Sequence, residues 1–426
     1  MNYQYLYDCE AGPLTTVYNI LNRSFIPRNL HQVVCYSENL QYTDTHVDSV
    51  AGSSIGFEYE SAFKAALGEY FERVSASYVR KQIQVSSYAE ISHQETMPVL
   101  HPAKMKLYAD WQYELPGFPF HKFSDDHEIG WVEGYDVLNQ EKILVPAFLS
   151  FFGYDRNKIN DGGRRYYLNT STGMASGSSI KNAIKGGFLE CAERHAFTNF
   201  WYNQRELLKN IPLYDQGSVV AAFPDNKHII SLFKNPRVKI VLFDLSDLAP
   251  VPTVFSILFF PYKGKTYMSP GASGRFSLEE AITKAALEAY QGVEFAVSLI
   301  NEKPLDLSDF SKIDTFEKHF MFYSLYPQNR EKVPLIKAAI ESNATAVRST
   351  PEGKMTGMHE LQKSGLEHVI YIDNSVPEFS ALGYNVVRVL TPGWAYLTAE
   401  HAIPFLGADT FSDRKKLFLE FPHPFP

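Results

Sequence analysis

The sequence predicts a mixed fold of the α/β (α+β) class, in which helices and sheets are interwoven around one site. Apolar runs of strand length recur along the chain and are separated by longer, helix-like stretches. The strand-like runs are WVEGYDV, KILVPAFLSFF, VKIVLFDL, VPTVFSILFF, HVIYID and YNVVRVL. Three of the helix-like stretches, GEYFER, ECAERH and ALEAYQG, also share one pattern of acidic and amide side chains. Because these related stretches are spread over most of the chain, we expect one interwoven domain rather than several independent ones.

The shared pattern places two polar groups three residues apart in each stretch. The pairs are Glu69 with Glu72, Glu190 with Glu193, and Glu288 with Gln291. Residues three apart lie on one face of a helix, so each pair projects in one direction. An alanine stands seven residues before each first glutamate, and a small residue stands three before it. This pattern predicts that something comes close to that helix face.

An exposed lattice of ion pairs is the alternative interpretation of such helices. The first stretch fits it, because Phe63, Leu67 and Phe71 form an apolar stripe opposite the acids. The second stretch does not fit, because apolar residues surround Glu190 and Glu193. Clustered carboxylates with few positive partners repel one another, raise their pKa values or recruit a cation. Oxygen ligands without a Cys or His cluster favour Mg²⁺, which proteins commonly share with the phosphates of a nucleotide.

The segments that lead into these helices are rich in small residues and predict phosphate-binding loops. They read AGSSIGFEYES, NTSTGMASGSS and SPGASGRFS. Backbone N–H groups at a helix start can approach an anion closely. Ser179 is the predicted N-cap of the second helix, and Ser277 with Glu280 fits a capping box in the third. The sequence contains neither a GxxxxGK[ST] loop nor the kinase motifs, which excludes those two nucleotide sites.

These segments together resemble the YcaO family of ATP-dependent enzymes that modify peptide backbones. The matching pieces occur in family order between residues 52 and 393 and read GSSIGFEYESAFKAALGEYFER, STGMASGSSIKNAIKGGFLECAERHAF, FDLSDLAPVPTVFSILF, GASGRFSLEEAITKAALEAYQG and LGYNVVRVLTPG. The resemblance implies a YcaO-like fold around one ATP and Mg²⁺ site. It assigns Mg²⁺ binding to Glu69, Glu72, Glu190 and Glu193. It assigns nucleotide contacts to Arg194, Lys284, Glu288 and Gln291, and to Ser53 and Ser54, where many members carry a loop lysine.

The final residues narrow the resemblance to one branch of the family. The chain ends FPHPFP, a PxPxP pattern that favours an extended conformation. A frayed tail or an adaptor ligand is the alternative. A terminal PxPxP resembles the azoline-forming cyclodehydratases (D-proteins), in which the tail reaches the active site. By that resemblance, residues 1–411 are the catalytic domain, residues 412–426 are the tail, and the carboxylate of Pro426 orients the substrate or accepts a proton.

The implied function is that of an ATP-dependent cyclodehydratase. It would convert Cys, Ser and Thr residues of a ribosomal precursor peptide to thiazolines and oxazolines by phosphorylating the backbone amide oxygen, releasing ADP and phosphate. The enzyme needs no nucleophile of its own, and we expect Cys191 and His195 to be packing residues. Two alternatives stay open: an ATP-dependent backbone thioamidation enzyme of the same family, and a non-catalytic nucleotide-binding scaffold.

Composition and resemblance together predict the setting in which the protein works. A net charge of −8 argues against nucleic-acid binding, and three cysteines argue against a disulfide framework. No targeting or membrane-spanning segment is evident, so we expect a cytoplasmic protein. The resemblance implies three partners, which are the precursor peptide, a ubiquitin-activating-enzyme-like protein and a flavin (FMN) dehydrogenase subunit. It also implies a homodimer within a larger complex.

Overall fold

The computed structural model describes residues 14–37, 50–77, 79, 81–151, 154, 164–300 and 308–425. Its strands, in chain order, are β1 (Thr16–Ile20), β2 (His31–Ser37), β3 (Val50–Gly56), β4 (Gln84–Ser87), β5 (Glu128–Asp136), β6 (Glu141–Pro146), β7 (Met174–Gly177), β8 (Leu213–Asp215), β9 (Lys239–Asp244), β10 (Thr253–Tyr262), β11 (Lys265–Gly274), β12 (Ile370–Asp373) and β13 (Asn385–Leu390). Its helices are α1 (Tyr59–Ala76), α2 (Tyr88–Gln94), α3 (Asp110–Tyr113), α4 (Ala147–Ser150), α5 (Ile180–Tyr202), α6 (Gln204–Leu207), α7 (Gln216–Ala222), α8 (Lys227–Phe233), α9 (Leu278–Ile300), α10 (Phe316–Ser324), α11 (Pro334–Glu341) and α12 (Pro377–Ser380).

The strands form three sheets whose neighbouring strands run antiparallel. One sheet has the order β1-β2-β3, a second has the order β11-β10-β9-β8, and a third has the order β4-β5-β12-β13-β7 with β6 beside β5. Long helices lie between and against these sheets. The predicted mixture of interwoven helices and sheets is therefore confirmed.

The apolar runs predicted as strands form β5, β6, β9, β10, β12 and β13. The run KILVPAFLSFF is only half strand, because β6 ends at Pro146 and the short helix α4 begins at Ala147. Proline has no N–H to donate to a ladder, and its fixed φ suits the residue before a helical turn. All four residues of α4 are buried, so burial alone does not distinguish strand from helix here.

Each of the three small-residue segments contains a strand, so the prediction that they are loops throughout is wrong. These strands are β3, β7 and β11. Their glycines allow a helix to lie directly on the strand. A methyl group at Gly52 would come within 2.2 Å of the Ala66 carbonyl oxygen, and one at Gly271 within 2.4 Å of that of Ala285. Close packing therefore outweighs the low strand propensity of glycine and serine.

Each of these strands leads through a short turn into a long helix, which gives three similar units, β3–α1, β7–α5 and β11–α9. Each helix contacts its own strand and also the strand of the following unit, so α1 meets β7, α5 meets β11 and α9 meets β3. The third contact returns to the first unit. The units therefore form a closed ring, although they lie far apart in the sequence.

Burial and capping explain why these helices form where they do. The Ser179 side chain accepts the Asn182 N–H at 3.3 Å, which confirms the predicted N-cap of α5. Helix α1 buries more than one apolar stripe, because Ala62, Ala66 and Tyr70 are buried as well as Leu67 and Phe71. None of the described helices combines the length and apolarity needed to cross a bilayer.

Candidate functional site

A cleft of about 940 Å³ is bounded by all three units of the ring. Its lining includes every predicted metal and nucleotide residue, namely Ser53, Ser54, Glu69, Glu72, Glu190, Glu193, Arg194, Lys284, Glu288 and Gln291. The structure thus brings together side chains that are widely separated in the sequence, while their roles remain predictions. Pro426, the predicted catalytic residue, lies outside the described residues.

The first glutamate of each acidic pair is held by its own unit. Glu69 accepts the Ser53 N–H at 2.6 Å, and Glu190 accepts the Gly173 N–H at the same distance. An arginine one helical turn later pairs with each of them. The Arg73–Glu69 distance is 2.5 Å, and the Arg194–Glu190 distance is 3.0 Å. Both carboxylates are therefore oriented by one backbone donor and one guanidinium.

The second glutamate of each pair reaches the strand of the following unit. Glu72 on α1 accepts the Ser176 N–H of β7 at 3.1 Å. Glu193 on α5 accepts the Gly274 N–H of β11 at 3.2 Å. These two bonds are corresponding steps around the ring. Each one places a carboxylate at the boundary between two units.

The third boundary carries an amide instead of a carboxylate. Gln291 on α9 donates through Nε2 to the Ser53 Oγ at 2.8 Å, which joins the third unit to β3. Gln32 on β2 donates to the Gln291 carbonyl oxygen at 3.2 Å. The ring is therefore closed by uncharged groups at this position. We call the three contacts the Glu72, Glu193 and Gln291 boundaries.

Burial and mutual repulsion perturb the boundary carboxylates. Burial, and then the negative charges of Glu190 and Glu69, raise the pKa of Glu72 well above its usual range. Burial, and then the charge of Glu288, raise the pKa of Glu193 to about 8. A proton or a cation must therefore neutralise part of this cleft near neutral pH.

The donor set fits Mg²⁺ that is completed by other ligands. The carboxylates supply the oxygen donors that Mg²⁺ prefers, and the raised pKa values indicate too little positive charge. Within the described ranges, no group of three or more Asp, Glu, His or Cys side chains is placed so that it could hold a metal ion by itself. Mg²⁺ commonly keeps water and takes phosphate oxygens in addition to one or two carboxylates. The arrangement suits such a shared ion better than a structural one.

Sequence reasoning missed three basic residues of the cleft lining, Arg73, Lys185 and Arg275. Lys185 lies over the Phe276 ring at 5.4 Å, and none of the ion pairs found in the described part of the chain involves it. Arg275 directly follows β11, and its position beside the small-residue segment could have indicated that it lines the cleft. Lys185 gave no sequence signal, because only the packing of α5 against the third unit turns it toward the cleft.

The cleft lining also includes the aromatic side chains Phe295, Phe316 and Phe425. We call the part of the lining formed by Phe316 and Phe425 around Arg194 the aromatic end of the cleft. The guanidinium of Arg194 lies 5.9 Å from the centre of the Phe316 ring and 5.7 Å from that of Phe425. Arg194 therefore connects the acidic part of the cleft to its aromatic end.

The two expected packing residues occupy packing positions. Cys191 is buried, and burial raises the pKa of its thiol to about 12, so it is not a thiolate nucleophile. The His195 ring stacks on Trp394 at 5.1 Å and accepts the Ala395 N–H at 3.0 Å. Burial lowers the pKa of His195 to about 4, so it is neutral near pH 7.

Oxygen donors and basic side chains around one cleft are the features expected of a magnesium–nucleotide site, and here they lie on a ring of three strand–helix units. The chain matches the YcaO cyclodehydratase family, described as ATP- and Mg²⁺-binding, over residues 53–395. The chain belongs to this family. ATP and Mg²⁺ are accordingly the cofactors of its family.

Solved structures with the same fold are similar to this chain at low sequence identity. A heterocyclase in complex with substrate and cofactor matches with a TM-score of 0.71 and 18% identity over 99% of this chain and 56% of its own. The YcaO protein from Methanopyrus kandleri bound with AMPPCP and Mg²⁺ matches with a TM-score of 0.57 and 16% identity over 92% of this chain and 89% of its own. A chain of the E. coli microcin synthetase McbBCD complex with pro-MccB17 bound matches with a TM-score of 0.66 and 17% identity, over 96% of both chains.

An uncharacterized protein from Methanothermobacter thermautotrophicus is a similar sequence. It is 24% identical over 277 residues, which cover 62% of this chain and 65% of that protein. This chain therefore spans less than two thirds of that relative and of the heterocyclase above.

Proposed function

We propose that this chain is an ATP-dependent cyclodehydratase that converts Cys, Ser or Thr residues of a ribosomal precursor peptide to azolines. The observation that carries the proposal is the convergence of two glutamate pairs and a third, amide-bearing helix on one cleft. Phosphoryl transfer needs positioning and charge neutralisation more than a protein nucleophile. The buried Cys191 and His195 are consistent with that requirement.

Glu69, Glu72, Glu190 and Glu193 are the proposed Mg²⁺ ligands. The raised pKa values of Glu72 and Glu193 support this assignment, because buried carboxylates behave in this way when no cation neutralises them. Bound Mg²⁺ would neutralise the charge of the triphosphate. The arginines that pair with Glu69 and Glu190 would keep those carboxylates oriented.

The proposed nucleotide contacts are Arg194, Lys284, Glu288, Gln291, Ser53 and Ser54. The Ser53 hydroxyl already accepts a hydrogen bond from the amide of Gln291, so both side chains are fixed in place. Lys284 pairs with Glu288 at 3.6 Å, a distance that leaves the ammonium free to turn toward an anion. We add Lys185 as a further phosphate-facing cation, since it lines the cleft.

The substrate would enter from the aromatic end. There a Cys, Ser or Thr side chain attacks the preceding carbonyl carbon, and the resulting oxygen takes the terminal phosphoryl group of ATP. That attack would close the five-membered ring, and loss of phosphate together with the amide N–H proton would then form the C=N double bond of the azoline, with ADP as the second product. Pro426 is the proposed catalytic residue, because it directly follows Phe425, which lines the cleft. Residues 1–411 would be the catalytic domain and residues 412–426 the tail.

The proposed partners are the precursor peptide, a ubiquitin-activating-enzyme-like protein and an FMN dehydrogenase subunit. The E. coli relative belongs to a complex with pro-MccB17 bound, which supports a peptide substrate and protein partners. We also propose a homodimer within that complex and a cytoplasmic location.

The test is to incubate the chain with Mg·ATP, the candidate partner and Cys-, Ser- or Thr-containing peptides encoded beside its gene. Loss of the mass of one water per modified residue is the expected result. Replacement of oxygen by sulfur, with a sulfur donor present, would instead establish the thioamidation alternative. An unchanged peptide mass together with intact ATP binding would favour the scaffold. Omitting Mg²⁺ is the matched control and should abolish the mass change.

A further inference from the structure

Three histidines, the buried His319 and His423 and the partly buried His401, lie where α10, the segment 398–401 and residues 422–425 meet. None of them lines the cleft, and the function proposed above uses none of them. His319 and His423 are almost completely buried, which is unusual for a titratable ring. Their contacts show what they hold in place.

The His319 ring lies between two backbone segments. Its Nδ1 is 2.8 Å from the His423 carbonyl oxygen, and its Nε2 is 2.8 Å from that of Ala399. The His423 ring stacks on it with centres 3.9 Å apart and planes inclined by 14°. The Nε2 of His423 is 2.9 Å from the Thr398 carbonyl oxygen. The two rings therefore tie residue 423 to α10 and to the segment 398–401.

This attachment continues directly into the cleft wall. The Tyr323 hydroxyl donates to the Pro422 carbonyl oxygen at 2.6 Å, on the other side of His423. Two residues further on, the Phe425 ring packs against Phe197 with centres 4.9 Å apart. Phe425 also lies beneath the guanidinium of Arg194. The position of Phe425 in the cleft lining thus depends on how residues 422 and 423 are held.

We propose that His319 and His423 form a latch that positions Phe425 against Arg194 and so completes the aromatic end of the cleft. They are positioning residues, because neither touches the space where the substrate would lie. The consequence for peptide modification rests on the proposed function, whereas the docking of residues 422–425 does not.

The latch is sensitive to acid. Two carbonyl acceptors would favour a doubly protonated His319, but burial outweighs them and lowers its pKa to about 4. Burial, and then the neighbouring His319, lower the pKa of His423 well below its usual range. The other charged or titratable groups that face the pair are Arg194, Asp314 and His401. Both rings are therefore neutral when the tail is docked near pH 7.

The direction of the pH effect follows from the difference between the histidine pKa values in the docked and the released tail. A released tail would expose the rings to water, where a histidine titrates near about pH 6.5. Protonation then favours the released state, so docking is fully stabilised above about pH 6.5 and weakens as the pH falls below it. Each ring contributes up to about tenfold per pH unit in that range.

Hydrogen exchange of residues 417–425 at pH 7.5 and pH 5.5, corrected for the intrinsic rate, tests the latch in the full chain. We expect protection of this segment to fall at least about tenfold at the lower pH, while α9 stays protected. The double variant His319→Gln with His423→Gln keeps N–H donors but does not titrate. It should stay protected at pH 7.5 and lose the pH dependence. The exposed His93→Gln on α2 is the matched control and should behave like the wild type.

Equal protection of the wild-type segment at both pH values would overturn the latch. So would an unchanged pH dependence in the double variant. If the double variant fails to fold, the wild-type comparison alone decides. Peptide modification by the wild type should decline with tail protection below about pH 6.5, more steeply than binding of a non-hydrolysable ATP analogue. Complete absence of peptide modification would refute the proposed function, while the exchange data would still decide the latch.

Discussion

The Glu72 and Glu193 boundaries share their position in the fold with the Gln291 boundary, but they differ from it in charge and in the direction of the hydrogen bond. In all three, the second polar side chain of a pair, three residues after the first on the same helix, reaches the strand of the following unit. At two of them a carboxylate accepts a backbone N–H, and at the third an amide donates to a hydroxyl. The amide boundary shows that the fold can close there without charge. The carboxylates at the other two therefore point to a need for negative charge rather than for structure.

The largest effect that this comparison predicts is from Glu193→Gln. The amide preserves the shape but removes the charge, so we expect Mg²⁺-dependent turnover to fall by at least about a hundredfold. The exposed Glu280→Gln on α9 is the matched control and should retain activity. Mg²⁺-dependent release of phosphate from ATP measures both. Turnover of the Glu193 variant within a few-fold of wild type would mean that the charge is not required.

The second prediction concerns pH. Because the folded-state pKa of Glu193 is raised to about 8, the cation-free protein loses stability from this group as the pH rises from about 4.5 to 8. Mg²⁺ must displace that proton. Its apparent affinity should therefore rise by up to about tenfold per pH unit between pH 6 and 8.

Thermal unfolding with increasing Mg²⁺ at several pH values measures this affinity. The Glu193→Gln variant should show a smaller slope, since one titrating group is gone. If the Mg²⁺ affinity of the variant depended on pH as steeply as that of the wild type, the proton displaced by Mg²⁺ would not be the one on Glu193.

The third prediction tests the construction that the three boundaries share. Gly271→Ala would place a methyl group 2.4 Å from the Ala285 carbonyl oxygen, so the helix and strand must move apart. We expect a loss of about 1–3 kcal/mol in the free energy of unfolding, measured in urea. Gly217→Ala in α7, whose nearest atom would be 3.5 Å away, is the control and should not destabilise. Equal stability of both variants would show that the close approach is not needed.

The fourth prediction concerns the positive charge opposite the carboxylates. Lys185→Gln should weaken ATP binding by about tenfold, because a charge-assisted contact is lost. AMP binding should change less, because AMP carries only one of the three phosphates that a phosphate-facing cation can contact. Lys181→Gln, an exposed residue one turn earlier on α5, is the matched control. Titration calorimetry with both nucleotides measures the difference. Equal weakening of ATP and AMP would remove the phosphate assignment.

The smallest effect should come from the amide boundary itself. Gln291→Ala removes the bond to Ser53 and should cost about 1 kcal/mol of stability with a few-fold loss of activity. Gln291→Glu places a carboxylate at the third boundary as well and should lower the Mg²⁺ concentration needed for half-maximal turnover, because added negative charge attracts the cation. A loss as large as that of the Glu193 variant would show that the three boundaries are equivalent after all.

The sequence alone was sufficient for six of the thirteen described strands and for the convergence of the acids. The apolar runs reported β9, β10, β12 and β13, because these strands are buried along much of their length. The i, i+3 spacing predicted that each pair of polar groups shares one helix face, because that relation depends only on position within a helix. Both signals are local and do not require knowledge of what the element packs against.

The remaining features depend on contacts between distant segments. Gly52 and Gly271 read as loop residues, because only the helix lying on them explains their presence in strands. The backbone donors of Ser176 and Gly274 could not be identified, since any residue supplies an N–H. Lys185 and the stacked pair His319–His423 were missed for the same reason: their orientation is set by another part of the fold.

The attachment of residues 417–425 has a consequence for how the protein is made. Phe418 and Phe425 pack into the same core as α5, and their partners are synthesised some two hundred residues earlier. Translation proceeds from the N-terminus, so the acidic part of the cleft can form on the ribosome well before its aromatic end. A nascent chain that has not yet released residue 425 would therefore hold an incomplete cleft.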